Sequence, residues 1–134
     1  MKKILIIFVL GLSFVLSACG RAGPSTTINV NMTDFKFDPP EFTIPAGKEI
    51  TINATNNGAV LHEFVIMNYG QNIGEVFGDE DEANIYWEIE IDPGGSRSVT
   101  FTAPIEIGEY QLVCGTEGHF AAGMSGKLNV VAGE

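Results

Sequence analysis

The sequence predicts an all-β protein: a two-sheet antiparallel Greek-key β-sandwich of about eight strands. From Ile28 onward, short runs rich in Ile, Val, Thr and aromatics alternate apolar with polar residues, the period-2 mark of half-buried strands. Clusters of Gly, Pro, Asn and Asp break those runs at short intervals, each with its own turn-forming chemistry. No helical periodicity persists over a useful length. Gly70, Gly74 and Gly78 interrupt the longest connection, leaving room for one helical turn within 70–83. Many short strands with frequent turns bury their apolar faces best as two packed sheets.

The chain opens with Met1-Lys2-Lys3, an apolar run over 4–16, and then Ser17-Ala18-Cys19-Gly20. A basic start, a short apolar core and small residues before a cut describe an export signal. The run falls short of the roughly 18 apolar residues a spanning helix needs. Leu16-Ser17-Ala18-Cys19 resembles the bacterial lipobox, which implies a signal peptide over 1–18 and a lipidated Cys19. An ordinary secretory signal with an incidental cysteine, or an uncleaved anchor, is the alternative. Residues 19–27 follow, with Gly20-Arg-Ala-Gly-Pro-Ser-Thr-Thr27 lacking an apolar pattern. They read as a flexible tether of on the order of 15 Å ahead of one domain over 28–134.

Strands are expected at 27–32, 41–44, 49–55, 61–67, 85–91, 98–102, 109–114 and 127–131. Between them, Asp38-Pro-Pro40, Pro45-Ala-Gly47, Asn56-Asn-Gly58 and Asp92-Pro-Gly-Gly95 supply turns. Pro pre-sets φ, Gly accepts positive φ, and Asn and Asp bond back to the main chain. Alternation puts His62, Phe64 and Ile66 on one face of their strand, with Glu63, Val65 and Met67 on the other. Tyr110, Leu112 and Cys114 share a face likewise, so His62 and Cys114 stand at strand ends.

Charge and cysteine usage restrict function. Seven Lys and Arg stand against seventeen Asp and Glu, a formal charge of −10, and loss of Lys2 and Lys3 with the leader makes it −12. That balance excludes nucleic acid, whose phosphates need a basic surface. It also disfavours electrostatic adhesion to anionic lipid, leaving a lipid anchor to hold the protein at the membrane. Cys19 and Cys114 are the only cysteines. If Cys19 is lipidated, Cys114 is an unpaired thiol in an exported protein, which calls for an explanation.

Metal ligation supplies one. Cys114-Gly-Thr-Glu-Gly-His119-Phe-Ala-Ala-Gly-Met124 has C-x4-H-x4-M spacing, placing a thiolate, an imidazole and a thioether on one loop. Taken singly, a buried Cys is a small hydrophobe and a Met is core filler. Together with His62, the only other histidine, they form a His2Cys set with a weak axial Met. That set selects copper and suits electron transfer. The spacing resembles the blue-copper proteins (cupredoxins), especially auracyanin- and rusticyanin-like members. So do Phe35-Lys-Phe37-Asp-Pro-Pro-Glu-Phe42-Thr-Ile-Pro-Ala-Gly47 and the ending Gly123-Met124-Ser-Gly126-Lys-Leu128-Asn-Val130.

The resemblance implies one mononuclear type 1 Cu(I)/Cu(II) site held by His62, Cys114, His119 and Met124. Gly115, Gly118 and Gly123 let the loop turn tightly. It also implies an electron port where His119 reaches the surface among Phe120, Ala121 and Ala122, although Phe120 could instead be core. Two departures stand out. Glu63 occupies a position where the family often has a bracing Asn, and Gly115-Thr-Glu117-Gly118 lacks the usual Pro or aromatic. Both bear on the hydrogen bonds around the ligands, which tune potential and rigidity. The acidic run Asp79-Glu-Asp-Glu82 is either a docking patch for cationic partners or a solvated loop.

The implied function is a membrane-tethered carrier of single electrons between respiratory or photosynthetic partners, such as cytochromes and membrane oxidoreductase complexes. It would work as a monomer, outside the cytoplasmic membrane or in the periplasm. A redox enzyme fails on counting: multicopper oxidases and copper nitrite reductases need further histidines, and a binuclear copper site needs two cysteines. A copper-handling lipoprotein, buffer or chaperone, using the same four residues stays open.

Overall fold

Strict alternation builds the first sheet. In the computed structural model, which describes residues 23–133, Ile28, Val30 and Met32 of β1 (Thr27–Thr33) point inward. Ile50, Ile52 and Ala54 of β4 (Glu49–Asn56) do the same. With β2 (Lys36–Asp38) and β7 (Ser96–Thr102), these strands form a four-stranded sheet in the order β2-β1-β4-β7. The second sheet has the order β3-β9-β8-β5-β6. It comprises β3 (Glu41–Pro45), β5 (His62–Met67), β6 (Ile85–Ile91), β8 (Gly108–Val113) and β9 (Ser125–Val131). Among the described residues the only helical element is the single 3-10 turn Glu82–Asn84, which overlaps the end of the stretch 70–83 expected to hold one turn.

The all-β sandwich is as the sequence predicts, with one more strand and two parallel pairings. β1 runs parallel to β4, and β3 parallel to β9; every other pair is antiparallel. Apolar side chains from both inner faces meet in one core, where Phe64 contacts Phe37 and Phe42 edge-on at ring separations of 5.4 and 5.9 Å. Trp87 stacks on Phe101 at 4.5 Å, closing the side where β6 meets β7. Asp92-Pro-Gly-Gly95 forms its turn through Gly95 N–H donating to Asp92 O, with Gly94 at φ +72°. Pro at the second position and a positive φ at the third define a type II turn.

A second apolar cluster lies on the outer face of β5 and β8. Val65, Met67 and Val113 are buried there beneath Ile73, Phe77, Ile85 and Phe120. β5 is therefore covered on both sides, and only Glu63 and His62 interrupt its apolar run. The connection over 70–81 folds back as a cover, pinned where Ile73 N–H donates to Gln111 Oε1 at 2.6 Å.

Strand polarity gives the molecule two unlike ends. β4 delivers the chain through 57–61 to His62, and β8 ends beside Cys114, so one pole collects the candidate ligand residues. At the opposite pole β3, β5 and β9 end and β4 and β8 begin. Ser25 N–H donates to Thr43 O and Thr51 N–H to Thr26 O, so the last residues of the expected tether are already bonded into the sandwich. The expected leader over 1–18 and Cys19 lie outside the described residues.

Candidate metal centre

Each donor reaches the pole by a different route. His62 opens β5 and is buried. Its approach is fixed by buried Asn56, whose Nδ2 donates to Val60 O and Ile91 O at 2.8 Å each while Oδ1 accepts from Gly58 N–H at 2.8 Å. Cys114 follows β8 directly. The loop beyond it closes on itself: Cys114 N–H donates to Met124 O, Met124 N–H to His119 O, and His119 N–H to Thr116 O. Gly118 at φ +79° and Gly123 at φ +100° supply the reversals this requires, a region a side chain disfavours. Met124 is fully buried at the foot of the loop.

The donor atoms converge. His62 Nδ1 and His119 Nδ1 are 3.1 Å apart, and Cys114 Sγ lies 3.9 Å from the first and 3.4 Å from the second. A triangle with those sides has its centre about 2.0 Å from each corner. Metal–imidazole bonds are about 2.0–2.1 Å and metal–thiolate bonds about 2.3 Å, taking zinc as the yardstick. The three atoms are spaced as trigonal ligands would be. Among the described residues these three form the one such cluster of His, Cys and acidic side chains.

Surrounding groups orient the donors. Asp34 Oδ1 lies 3.1 Å from His62 Nε2. With Nε2–H donating to this carboxylate, Nδ1 is left with its lone pair toward the centre, the way an outer carboxylate fixes a ligand tautomer. Asp34 is itself held by Ala59 N–H at 3.1 Å. Gly58 sits so close to Asp34 and His62 that a Cβ there would collide with both. Glu63 N–H donates to Cys114 Sγ at 3.4 Å.

Burial pushes the Cys114 thiol up, opposed by the Glu63 and Thr116 hydrogen bonds. Burial, then neighbouring His62, holds His119 below the usual histidine range, so it is neutral and ready to ligate at neutral pH. A metal would therefore have to displace the thiol proton of Cys114, whereas at His119 there is none to displace.

The two departures resolve together. Glu63 does not brace the ligand loops; its carboxylate lies against Gly115. Its pKa is raised to about 6, by burial first and then by Glu90, Glu88 and Glu82. The cross-brace comes instead from Thr116, whose hydroxyl donates to Leu61 O at 3.1 Å. That ties the loop of Cys114 to the residue preceding His62.

Around His119 the surface differs from the expected rim. His119 is only 7% exposed. Ala121 and Ala122 are exposed, but Phe120 turns its ring into the second apolar cluster. The aromatic at the rim is Phe35, edge-on to His119 at 5.1 Å and 45% exposed. Phe35 adopts φ +109°, a costly conformation for a bulky residue. In the acidic run, Asp81 accepts from Gly78 N–H and so shapes its own turn. Sequence reasoning did not find Asp34, Phe35, Asn56 or Thr116. Only Asp34-Phe35, polar-aromatic between two apolar runs, carried a signal.

A β-sandwich that brings two imidazole nitrogens and one thiolate together at one pole, over a buried methionine, defines a mononuclear blue copper protein of the electron-transfer or copper-handling kind. The chain belongs to the cupredoxin family: residues 5–130 match the cupredoxin-like domain. It is 30% identical to auracyanin-A of Chloroflexus aurantiacus over 97% of both chains. It is also 32% identical to the copper-resistant cuproprotein CopI of Rubrivivax gelatinosus, over 83% of this chain and 72% of that one. Among solved structures, reduced auracyanin from Roseiflexus castenholzii superposes with a TM-score of 0.69 at 32% identity, covering 81% of this chain and 99% of that one.

Proposed function

We propose that the protein carries single electrons on one copper ion, which His62, Cys114, His119 and Met124 would hold. The observation that carries this is the triangle of Nδ1, Nδ1 and Sγ, sized for one metal ion. Copper there would cycle between Cu(I) and Cu(II); everything else belongs to the chain. Asp34 fixes one imidazole, Glu63 N–H steadies the sulfur, and the Thr116–Leu61 brace holds the two ligand segments together. A site so constrained from several directions suits both oxidation states with little rearrangement. Electrons would pass by the His119 edge, between Phe35 and Ala121-Ala122, to a redox protein docked on that pole.

The lipobox-like Leu16-Ser17-Ala18-Cys19 supports removal of residues 1–18 and lipidation of Cys19, which would tether the domain to the outer face of a membrane. Cys19→Ser should move the protein out of the membrane fraction and leave its copper spectrum unchanged. The protein is not read as an enzyme, because the donor set is spent on one closed site.

The second reading is copper handling, favoured by the likeness to CopI, a copper-resistant cuproprotein. Voltammetry and electron self-exchange separate the two. Reversible one-electron behaviour with rapid self-exchange is the carrier's signature. Slow exchange together with ready transfer of Cu(I) to a metal-free acceptor would replace the carrier with the chaperone.

A further inference from the structure

Seven large apolar side chains are exposed among the described residues. Phe35 and Val60 stand at the metal pole and Val76 on the connection over 70–81, whereas Tyr69, Tyr86, Ile105 and Ile107 gather at the opposite pole. Ile105 is 81% exposed and Ile107 is 59% exposed. The two tyrosines and Ile105 line a single cleft with Tyr110. Tyr86 OH donates to Thr102 O and Tyr110 OH to Glu106 O, so the strands hold the ring edges in place. Isolated exposed apolar residues are ordinary, but a group of them on one surface marks a contact.

The tether says what the contact is. Gly23 and Pro24 share a cleft with Pro45, Lys48 and Val131. Gly47, next in the same turn, donates its N–H to Pro104 O and faces Ile105. Gly23 also lines a cleft with Phe42 and Thr43, so the first described residue stands on the flank of β3, next to the pole that carries the two isoleucines. Cys19 is four residues before Gly23, and four residues span at most about 14 Å. An acyl chain on Cys19 would bring this pole to the bilayer surface.

We propose that the pole bearing Tyr69, Tyr86, Ile105 and Ile107 is a membrane-seating surface, which rests on the bilayer interface and points the metal pole away from it. The inference rests on the lipidation of Cys19 proposed above. Tyrosine and isoleucine suit the headgroup boundary, where apolar bodies are buried and hydroxyls stay wet. Glu106 and Glu109 are exposed nearby, which disfavours an anionic lipid surface and leaves the apolar side chains to make the contact with a zwitterionic one. The strands then act as a spacer: β4 has eight residues, about 26 Å at roughly 3.3 Å each. Seated this way, the domain presents its His119 rim to partners standing above the membrane plane.

The test uses the full lipidated protein on phosphatidylcholine vesicles, beside Ile105→Asp/Ile107→Asp and the Cys19→Ser form of each. Flotation reports anchoring, and hydrogen exchange reports seating. Tyr69 and Gly70 serve as reporter amides, since neither is altered by the substitutions. On vesicles, the reporters should exchange at least fivefold more slowly in the parent than in the double variant, with 117–123 exchanging alike in both. The two Cys19→Ser proteins should exchange identically at the reporters. Failure to float would remove the anchor and the seating together. Flotation without reporter protection would overturn the seating alone. Protection of the reporters in the unanchored parent would assign the effect to self-association or internal packing and overturn it too.

Discussion

Glu63 lets the electrostatics of the centre be varied without touching a donor atom. Its main-chain N–H donates to the Cys114 sulfur, while its half-buried carboxyl titrates at about 6. That value lies above the ordinary 4.5, so the fold favours the protonated form. The stabilisation is complete below about pH 4.5 and is lost as pH rises through about 6. Glu63→Gln should therefore raise the stability of the metal-free protein near pH 7 and change little near pH 4. The gain should be on the order of 1 kcal/mol once solvent screening is discounted. Thermal unfolding at several pH values checks this, and a pH-independent difference would contradict it. Gly58 gives the complementary test. A methyl group there would push into Asp34 and His62, so Gly58→Ala should cost about 1–3 kcal/mol and weaken copper binding. Denaturant unfolding and a competitive copper titration read the two effects; a variant unchanged in both would mean that Asp34 does not position His62.

At the scale of elements, the proposed metal centre draws on two loops carried by β5 and β8. Ala121 and Ala122 lie exposed on one of them, beside the Phe35 edge. Ala121→Lys should slow electron transfer to a docked partner roughly fivefold to tenfold, since a charge there must be desolvated on contact. The reduction potential should barely move, and an unchanged rate by stopped flow would place the port elsewhere. Alternation made most strands legible, and the C-x4-H-x4-M spacing made the ligand residues legible. β2 was not, because it has three residues and buries only Phe37. Nor were the parallel pairs: alternation identifies a strand's faces, not its neighbour. Val65 and Met67 read as outward-facing for the same reason, since nothing in β5 says that Ile73 and Phe77 return to cover them. Asp34, Asn56 and Thr116 were hidden because each meets the ligand segments through a turn. Their role comes from tertiary placement that no local pattern records.

Over the whole molecule, a formal charge of −10 is unevenly placed. Glu82, Glu88 and Glu90 all raise the pKa of Glu63, so an acidic flank lies beside the thiolate side of the metal pole. Replacing these three glutamates with Gln should lower the association rate with a cationic redox partner and flatten its dependence on ionic strength. Asp79→Asn with Glu80→Gln serves as the comparison. If both sets leave rate and salt dependence alone, the flank is only a solvated surface. A visible-absorption titration with copper(II) shows whether residues from separate parts of this sandwich hold a single copper ion. The protein should take up one equivalent and develop an intense blue or green thiolate-to-copper band, which Cys114→Ala abolishes. A colourless complex, or a band that survives Cys114→Ala, would contradict that arrangement.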